Sequence, residues 1–234
     1  MKTYALICAY NEEDNATEMI AKSLRHVDRV IFVNDGSSDK TLENVSSKFG
    51  KNSRVIVISY SQNQGKGHAM IEGFGRFLKE DGDVLVTLDA DGQHNPDEIP
   101  VVTTMIEHKY ADVVIGSRYL KLTGYPRVRV FFNVFSTMLL LVSSGGFFTD
   151  VASGYRAYSK KAVKAILPRL DLQGYGIELE ILQIAKEVDL KISTVPVSCS
   201  YDANEKPNFF KLAYGYIRFA LKYKYPMAHR IFKF

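Results

Sequence analysis

The chain of 234 residues is 46% hydrophobic and 24% charged, which excludes a disordered or fibrous protein and allows one large domain or a domain with an appendage. Its formal charge of +4 is unevenly placed: residues 206–234 hold seven Lys and Arg and no acid, leaving residues 1–205 with 23 basic and 26 acidic side chains. A mildly acidic body argues against a nucleic acid partner, and a basic terminus points to a local anionic one.

The chain opens MKTYALICAYNEE, where the apolar run is too short for a signal peptide and acid follows at once. YALICA (4–9) reads as a strand and residues 15–25 as a helix; VIFVN (30–34) is a second strand, followed by a helix near 39–49. VIVIS (55–59), VLVTLD (84–89) and VVIGS (113–117) continue the strand series, with helices near 67–79 and 96–108. Near-continuous apolar strands alternating with helices predict an α/β fold with a mainly parallel central sheet flanked by helices. Ligands of such sheets sit beyond the C-terminal strand ends. Polar clusters stand at four of those ends: Tyr10-Asn11-Glu12, Asp35-Gly36-Ser37, Asn63-Gln64-Gly65 and Asp89-Ala90-Asp91.

No GxGxxG follows the first strand and no GxxxxGK[ST] occurs, so neither dinucleotide nor P-loop chemistry is indicated. Gly65-Lys66-Gly67 reads either as a loop entering a helix or as a phosphate contact through Lys66. Cys8 and Cys199 form no CxxC pair and lie in strand-like surroundings; they read as buried free thiols in a reducing, cytoplasmic compartment. In the second half, residues 127–144 are apolar but interrupted by Asn133, Ser136 and Thr137, and no run approaches a membrane span. A helix near 176–188, a strand at 191–197 and an aromatic, basic tail complete the chain.

The strand ending in Asp89 and Asp91 poses the chemical question, because two anions one residue apart repel unless compensated. An EF-hand is excluded: Gly92 falls at loop position four rather than six. A turn at Asp91-Gly92 and a helix capped by Asp97 account for the loop, but not for Asp89 at the end of an apolar strand. Mg²⁺ or Mn²⁺ accounts for both, since such ions take one or two carboxylates and complete their shell with water and substrate phosphate.

CAYNEE (8–13), VNDGSSDKT (33–41), NQGKGHA (63–69), LDADGQH (88–94), IGSRY (115–119), DVASGYRAY (150–158) and GYGIELEI (174–181) occur in one order. This series, over residues 4–208, resembles glycosyltransferase family 2 with its GT-A nucleotide-diphospho-sugar transferase fold, most closely the dolichyl-phosphate mannosyltransferase-like branch. The resemblance implies an inverting transferase that moves a hexose from GDP-mannose or UDP-glucose to a polyprenyl or dolichyl phosphate. It implies that Tyr10, Glu12 and Asp35 line the nucleoside pocket, that Asp89 faces the sugar-nucleotide, and that Asp91 and Gln93 hold the metal. Lys66 and Lys206 are implied at the diphosphate, although Asn208 stands where serine is common. His94 reads as a surface loop residue and Asp39 as a helix cap. Cys8 departs from the usual proline and is expected to alter a loop contact.

A lipid monophosphate is already anionic and needs cationic guides more than a base. Arg118 in IGSRY and Arg129 in PRVRVFFN, with Asn133 beyond it, resemble the branch's acceptor-phosphate ligands. Arg156 is read as structural, and a base role for Glu178 or Glu180 as doubtful. The tail, 209–234, is read as an extension beyond a 1–208 catalytic domain. Between Phe209 and Lys224, Lys211, Arg218 and Lys222 form a basic stripe beside an apolar flank of Phe209, Leu212, Tyr216, Phe219 and Tyr223, as in a helix lying on an anionic membrane surface. The protein is therefore expected to sit peripherally at the cytoplasmic face of a membrane. Two rivals remain open at this point: a family member acting on a sugar hydroxyl, and a catalytically silent nucleotide-sugar-binding adaptor.

Overall fold

Alternation of side chains along the strands separates two apolar layers on either side of one sheet. In the first strand, β1 (Thr3–Ala9), Tyr4 and Leu6 enter one layer while Ala5, Ile7 and Ala9 enter the other. The computed structural model describes residues 1–120, 127–146, 148–171, 176–200 and 209–223. Its other strands are β2 (Arg29–Asp35), β3 (Val55–Tyr60), β4 (Val84–Asp89), β5 (Val113–Ser117), β6 (Arg156–Ser159) and β7 (Ile192–Pro196), in sheet order β3-β2-β1-β4-β6-β5-β7.

Helices α1 (Ala16–Ser23), α2 (Thr41–Phe49) and α4 (Ile99–Glu107) supply Ile20, Val45 and Val102 to the layer that holds Ala5 and Ile7. The opposite layer receives Phe74 and Phe77 from α3 (Lys66–Leu78), Leu140 from α5 (Arg127–Ser144), and Val163 from α6 (Lys160–Ile166). It also receives Leu182 from α7 (Ile177–Glu187), and Tyr216 and Phe219 from α8 (Phe209–Tyr223). Coverage on both faces explains why β1, β2 and β4 lack polar alternation.

The expected strands and helices form within a few residues of their expected bounds, and the sheet is mainly parallel. One strand was not anticipated. β6 runs antiparallel between β4 and β5, with Thr87 opposite Arg156 and Ile115 opposite Arg156 from the other side. Only four residues long, RAYS lacks the apolar run that marks its neighbours. Its direction follows from its approach: the chain arrives from the loop at the C-terminal strand ends, where Ser153 bonds the carbonyl of Gly116, and must run back down the sheet. That path lays Asp150–Tyr155 across the ends of β4 and β5.

The helix after β4 begins differently from expectation. Asn95, not Asp97, is its cap: Asn95 Oδ1 accepts the Asp97 N–H at 3.1 Å, while Asp97 bonds His26 Nε2 at 2.8 Å. Asp39 does hold the entrance of α2, accepting the N–H of Thr41 at 3.0 Å. α8 packs against α5 and α7. Its Lys222 lies 2.6 Å from the fully buried Glu180, which Tyr223 also reaches at 3.2 Å. The flank carrying Tyr216 and Phe219 is thus turned inward, and Lys222 serves an internal ion pair rather than a solvated stripe. Among the described side chains of α8, the large apolar residues that it exposes are Tyr214, Ile217 and Leu221.

Candidate active site

β1, β2 and β4 end side by side, with Cys8 opposite both Val33 and Asp89. The loops leaving them therefore converge. Asn11, in the left-handed region at φ 56°, donates its N–H to Ser37 Oγ at 3.0 Å and accepts the Ser38 N–H through Oδ1 at 2.8 Å. Asp35 is buried and grips the next loop: Oδ1 accepts the N–H of Gln64 at 2.8 Å and Oδ2 that of Gly65 at 2.9 Å. Gly65 takes φ 93°, a conformation open to glycine, and delivers Lys66 as the first residue of α3.

The result is a cleft of 510 Å³ lined by Cys8 of β1, by Tyr10 and Glu12 from the loop that follows it, by Asp35 of β2, by the 63–66 loop, and by Asp89 and Asp91 at the end of β4. Tyr214 and Gly215 of α8 complete the wall. Size and lining suit a bound nucleotide. Asp89 is compensated from within the protein: Lys66 Nζ lies 2.7 Å from its Oδ1 and 2.9 Å from Glu178 Oε1. Burial alone raises the Asp89 pKa, but the Lys66 ammonium, together with further positive charge nearby including Arg118, offsets it and holds the carboxyl well below the usual range. Asp91 is half-buried; its Oδ1 accepts the N–H of Gln93 at 2.9 Å, closing a turn in which Gly92 takes φ 77°.

A family model for glycosyl transferase family 2 matches residues 4–167. The chain belongs to glycosyltransferase family 2. This glycosyltransferase is 33% identical over 214 residues to the UDP-N-acetylglucosamine–dolichyl-phosphate N-acetylglucosaminyltransferase of Methanococcus voltae, covering 85% of each chain. It is 29% identical over 204 residues to the undecaprenyl-phosphate mannosyltransferase of Micrococcus luteus, covering 85% of this chain and 83% of the relative. Among solved structures, glucosyl-3-phosphoglycerate synthase from Mycobacterium tuberculosis, in complex with Mn²⁺, uridine diphosphate and glucosyl-3-phosphoglycerate, superposes with a TM-score of 0.73. That match covers 94% of this chain and 79% of the other at 19% identity. The fold is GT-A.

Within this glycosyltransferase, Tyr10, Glu12, Asp35, Lys66, Asp89 and Asp91 share one cleft. Gln93 is half-buried and is not brought into that cleft: it lines a neighbouring cavity with Asn15, His94 and Ser198, its Oε1 4.0 Å from the Cys199 sulfur. Arg118 forks onto buried Asp150, donating from Nε at 2.8 Å and Nη2 at 2.6 Å, and its charge is felt at Asp89. The side chain of Arg129 and the whole of Lys206 lie outside the described residues. Asn133 places its Oδ1 in the interior of α5 without a hydrogen-bond donor. Arg156 is wholly buried and bonds three backbone carbonyls, which makes it structural.

Several expectations need correction. His94 is no surface residue: it is buried, stacks near Tyr155 at 5.1 Å between ring centroids, and accepts the Asp89 N–H on Nδ1 at 3.1 Å. Burial lowers its pKa to about 4, against the raising effect of Asp89, so the ring is neutral. Both thiols are free but only partly buried, and Cys8 stands within β1 on the cleft wall rather than at a loop contact. Burial raises the Cys8 pKa, so it remains a protonated thiol. The cation was not needed to compensate Asp89, because Lys66 does so. Sequence reasoning also missed Gly154, Asp150 and the link from Glu178 to Lys66. The DVASGYRAY and GYGIELEI motifs contained Asp150, Gly154 and Glu178, but their partners are 32 to 112 positions away in the chain.

Proposed function

We propose that this glycosyltransferase moves a sugar from a nucleotide-diphosphate donor to a polyprenyl or dolichyl phosphate at the cytoplasmic face of a membrane. The observation that carries the reading is the placement of α8. Tyr214 and Gly215 line the donor cleft, while Tyr214, Ile217 and Leu221, spaced at three and four residues, also present an exposed apolar face. α5, packed against it, exposes Phe131, Val134, Phe135, Met138, Leu141 and Val142 at the same helical spacing. Two adjoining helices with apolar residues turned outward match a surface that meets lipid. Among the described residues no helix is long and apolar enough to cross a membrane. An acceptor with a lipid tail and a phosphate head can therefore enter beside α5 and α8 and present its phosphate to the cleft.

The relatives named above support the acceptor class and differ in the sugar their names specify, so the donor expectation widens from a hexose to include an N-acetylhexosamine. The carboxylates that a hydroxyl acceptor would recruit as base are otherwise engaged: Glu178 with Lys66, Glu180 with Lys222 and Tyr223. A phosphate nucleophile needs no base. Arg118 and Arg129 are the proposed acceptor-phosphate guides, Arg118 from a rigid fork on Asp150.

A divalent cation fits the residues present. Asp91 offers a hard carboxylate oxygen in the cleft, with Gln93 in the neighbouring cavity two residues on, and Mg²⁺ or Mn²⁺ needs few protein ligands when a diphosphate supplies the others. When bound, the ion neutralises charge on the departing diphosphate. Asp89, with its charge balanced by Lys66, is left to orient the sugar-nucleotide, and Asp35 keeps the 63–66 loop open around it.

The test is a donor screen with Mn²⁺ or Mg²⁺ and a polyprenyl phosphate in detergent or vesicles, reading lipid-linked sugar. Glycolipid formed from one donor and lost on chelation is the expected result. Absence of glycolipid with every donor would sink the reading, and efficient transfer to a free sugar hydroxyl would replace it with the rival acceptor. A separate prediction concerns the apolar helices. The triple replacement Phe131→Ser, Met138→Ser and Leu221→Ser is expected to weaken co-sedimentation with anionic phospholipid vesicles by about tenfold or more, since each side chain contributes on the order of 1.5 kcal/mol when buried. Unchanged pelleting would remove α5 and α8 from the membrane contact.

A further inference from the structure

We infer that Lys66 and Glu178 are positioning residues for Asp89, and that Gly154 is held free of a side chain to admit the pair they form. The role rests on the transfer proposed above but assigns residues that the GKG motif, read as a phosphate cradle, does not. Lys66 lies in the cleft wall, yet its ammonium is directed at two carboxylates, 2.7 Å from Asp89 Oδ1 and 2.9 Å from Glu178 Oε1. Its own position is set from behind, because Asp35 fixes the two N–H groups that precede it. Glu178 is buried on α7, so a donor-site residue on β4 is tied through α3 to a helix on the far side of the site.

Gly154 closes the arrangement. A Cβ placed there would stand 2.7 Å from Asp89 Oδ2 and 2.9 Å from Lys66 Nζ, closer than van der Waals contact allows. Its carbonyl accepts a bond from Thr87 Oγ1 at 2.7 Å, which pins the 153–155 segment against β4 two residues before Asp89. The Asp89 N–H is meanwhile taken by His94. The carboxylate is thus confined by Lys66 in front, Gly154 at its side and His94 beneath its backbone.

One ammonium between two carboxylates makes an asymmetric prediction. Loss of Glu178 leaves the Lys66–Asp89 pair intact, whereas loss of Lys66 leaves two anions facing each other. A lysine acting directly on the diphosphate carries no such dependence on Glu178.

The experiment compares Lys66→Met, Glu178→Gln, the double variant and Gly154→Ala with the full chain, by steady-state transfer and by crystal structures without ligand. Glu178→Gln is expected to lower kcat about tenfold and to leave the donor KM within about twofold, and Lys66→Met to lower kcat about a hundredfold. The double variant should return to about the level of Glu178→Gln, a coupling typical of contacting groups. Gly154→Ala should lower kcat by about tenfold with the fold retained. The structures should show Asp89 displaced in Lys66→Met and in Gly154→Ala. Losses that simply multiply in the double variant, or a raised donor KM with kcat preserved in Lys66→Met, would overturn the inference and return Lys66 to the diphosphate. Should the unmodified protein transfer no sugar, the functional reading fails, and the displacement of Asp89 in the ligand-free variants still decides this one: an unmoved Asp89 refutes it.

Discussion

Asp91→Asn is expected to lower kcat for sugar transfer by about 10²- to 10³-fold, to abolish stimulation by added Mn²⁺ or Mg²⁺, and to leave stability within about 0.5 kcal/mol of the parent. The separation of the two effects follows from the turn. Asp91 Oδ1 accepts the Gln93 N–H at 2.9 Å, and an asparagine oxygen accepts it equally well, so the loop that Gly92 makes at φ 77° is retained. What is removed is one negative charge on the lining of the cleft. Asp89→Asn is not an equivalent probe, because that carboxylate balances Lys66, and its loss disturbs Glu178 as well. Rates measured across a metal titration, together with urea unfolding of both proteins, make the comparison. Near-normal rates in Asp91→Asn would take Asp91 out of the mechanism.

Arg156→Met should cost about 3–5 kcal/mol of stability and lower the melting temperature by about 10 °C, an effect on folding before it is an effect on catalysis. The guanidinium is wholly buried and donates from Nε to the Ser153 carbonyl at 2.9 Å, from Nη1 to that of Glu178 at 2.8 Å, and from Nη2 to that of Val151 at 2.6 Å. Methionine fills much of the volume but removes the donors from three carbonyls, leaving those of Val151 and Ser153 without this partner, and a buried carbonyl left unmatched costs about 1–3 kcal/mol. Lysine is no substitute, since a single ammonium cannot reproduce the planar fork. Because one of the three carbonyls belongs to Glu178, the variant is also expected to lose transfer activity at temperatures where it remains folded. Calorimetry and urea midpoints supply the numbers. A loss below about 1 kcal/mol would mean that water replaces the guanidinium and that the staple is dispensable.

The residues of the cleft were legible because chemistry in this architecture gathers at strand ends, and strand ends are visible as apolar runs breaking into polar ones. Tyr10, Glu12, Asp35, Asp89 and Asp91 were found in that way and Lys66 from the Gly65-Lys66-Gly67 loop, and all six line the cleft. His94 was misread because nothing in LDADGQH signals burial. The ring is enclosed only when Tyr155 is brought against it by a strand that runs backwards. The tail was misread for a related reason. Its helical wheel carries two apolar flanks, and periodicity cannot say which one the domain claims; Glu180 and Lys222 decide by placing Tyr216 and Phe219 inside.

Local pattern was sufficient for the alternation of strands and helices, the family, and the list of polar side chains lining the cleft, since each depends on neighbours a few residues apart. Partnership was not. That Asp89 and Glu178 share Lys66, that Asp150 holds Arg118, and that Gly154 must lack a side chain are consequences of β6 entering between β4 and β5 and of α7 closing behind them. Opposite charges separated by 23 and 112 positions meet there, and the energy of an ion pair depends on distance in space, which the order of residues along a chain does not contain.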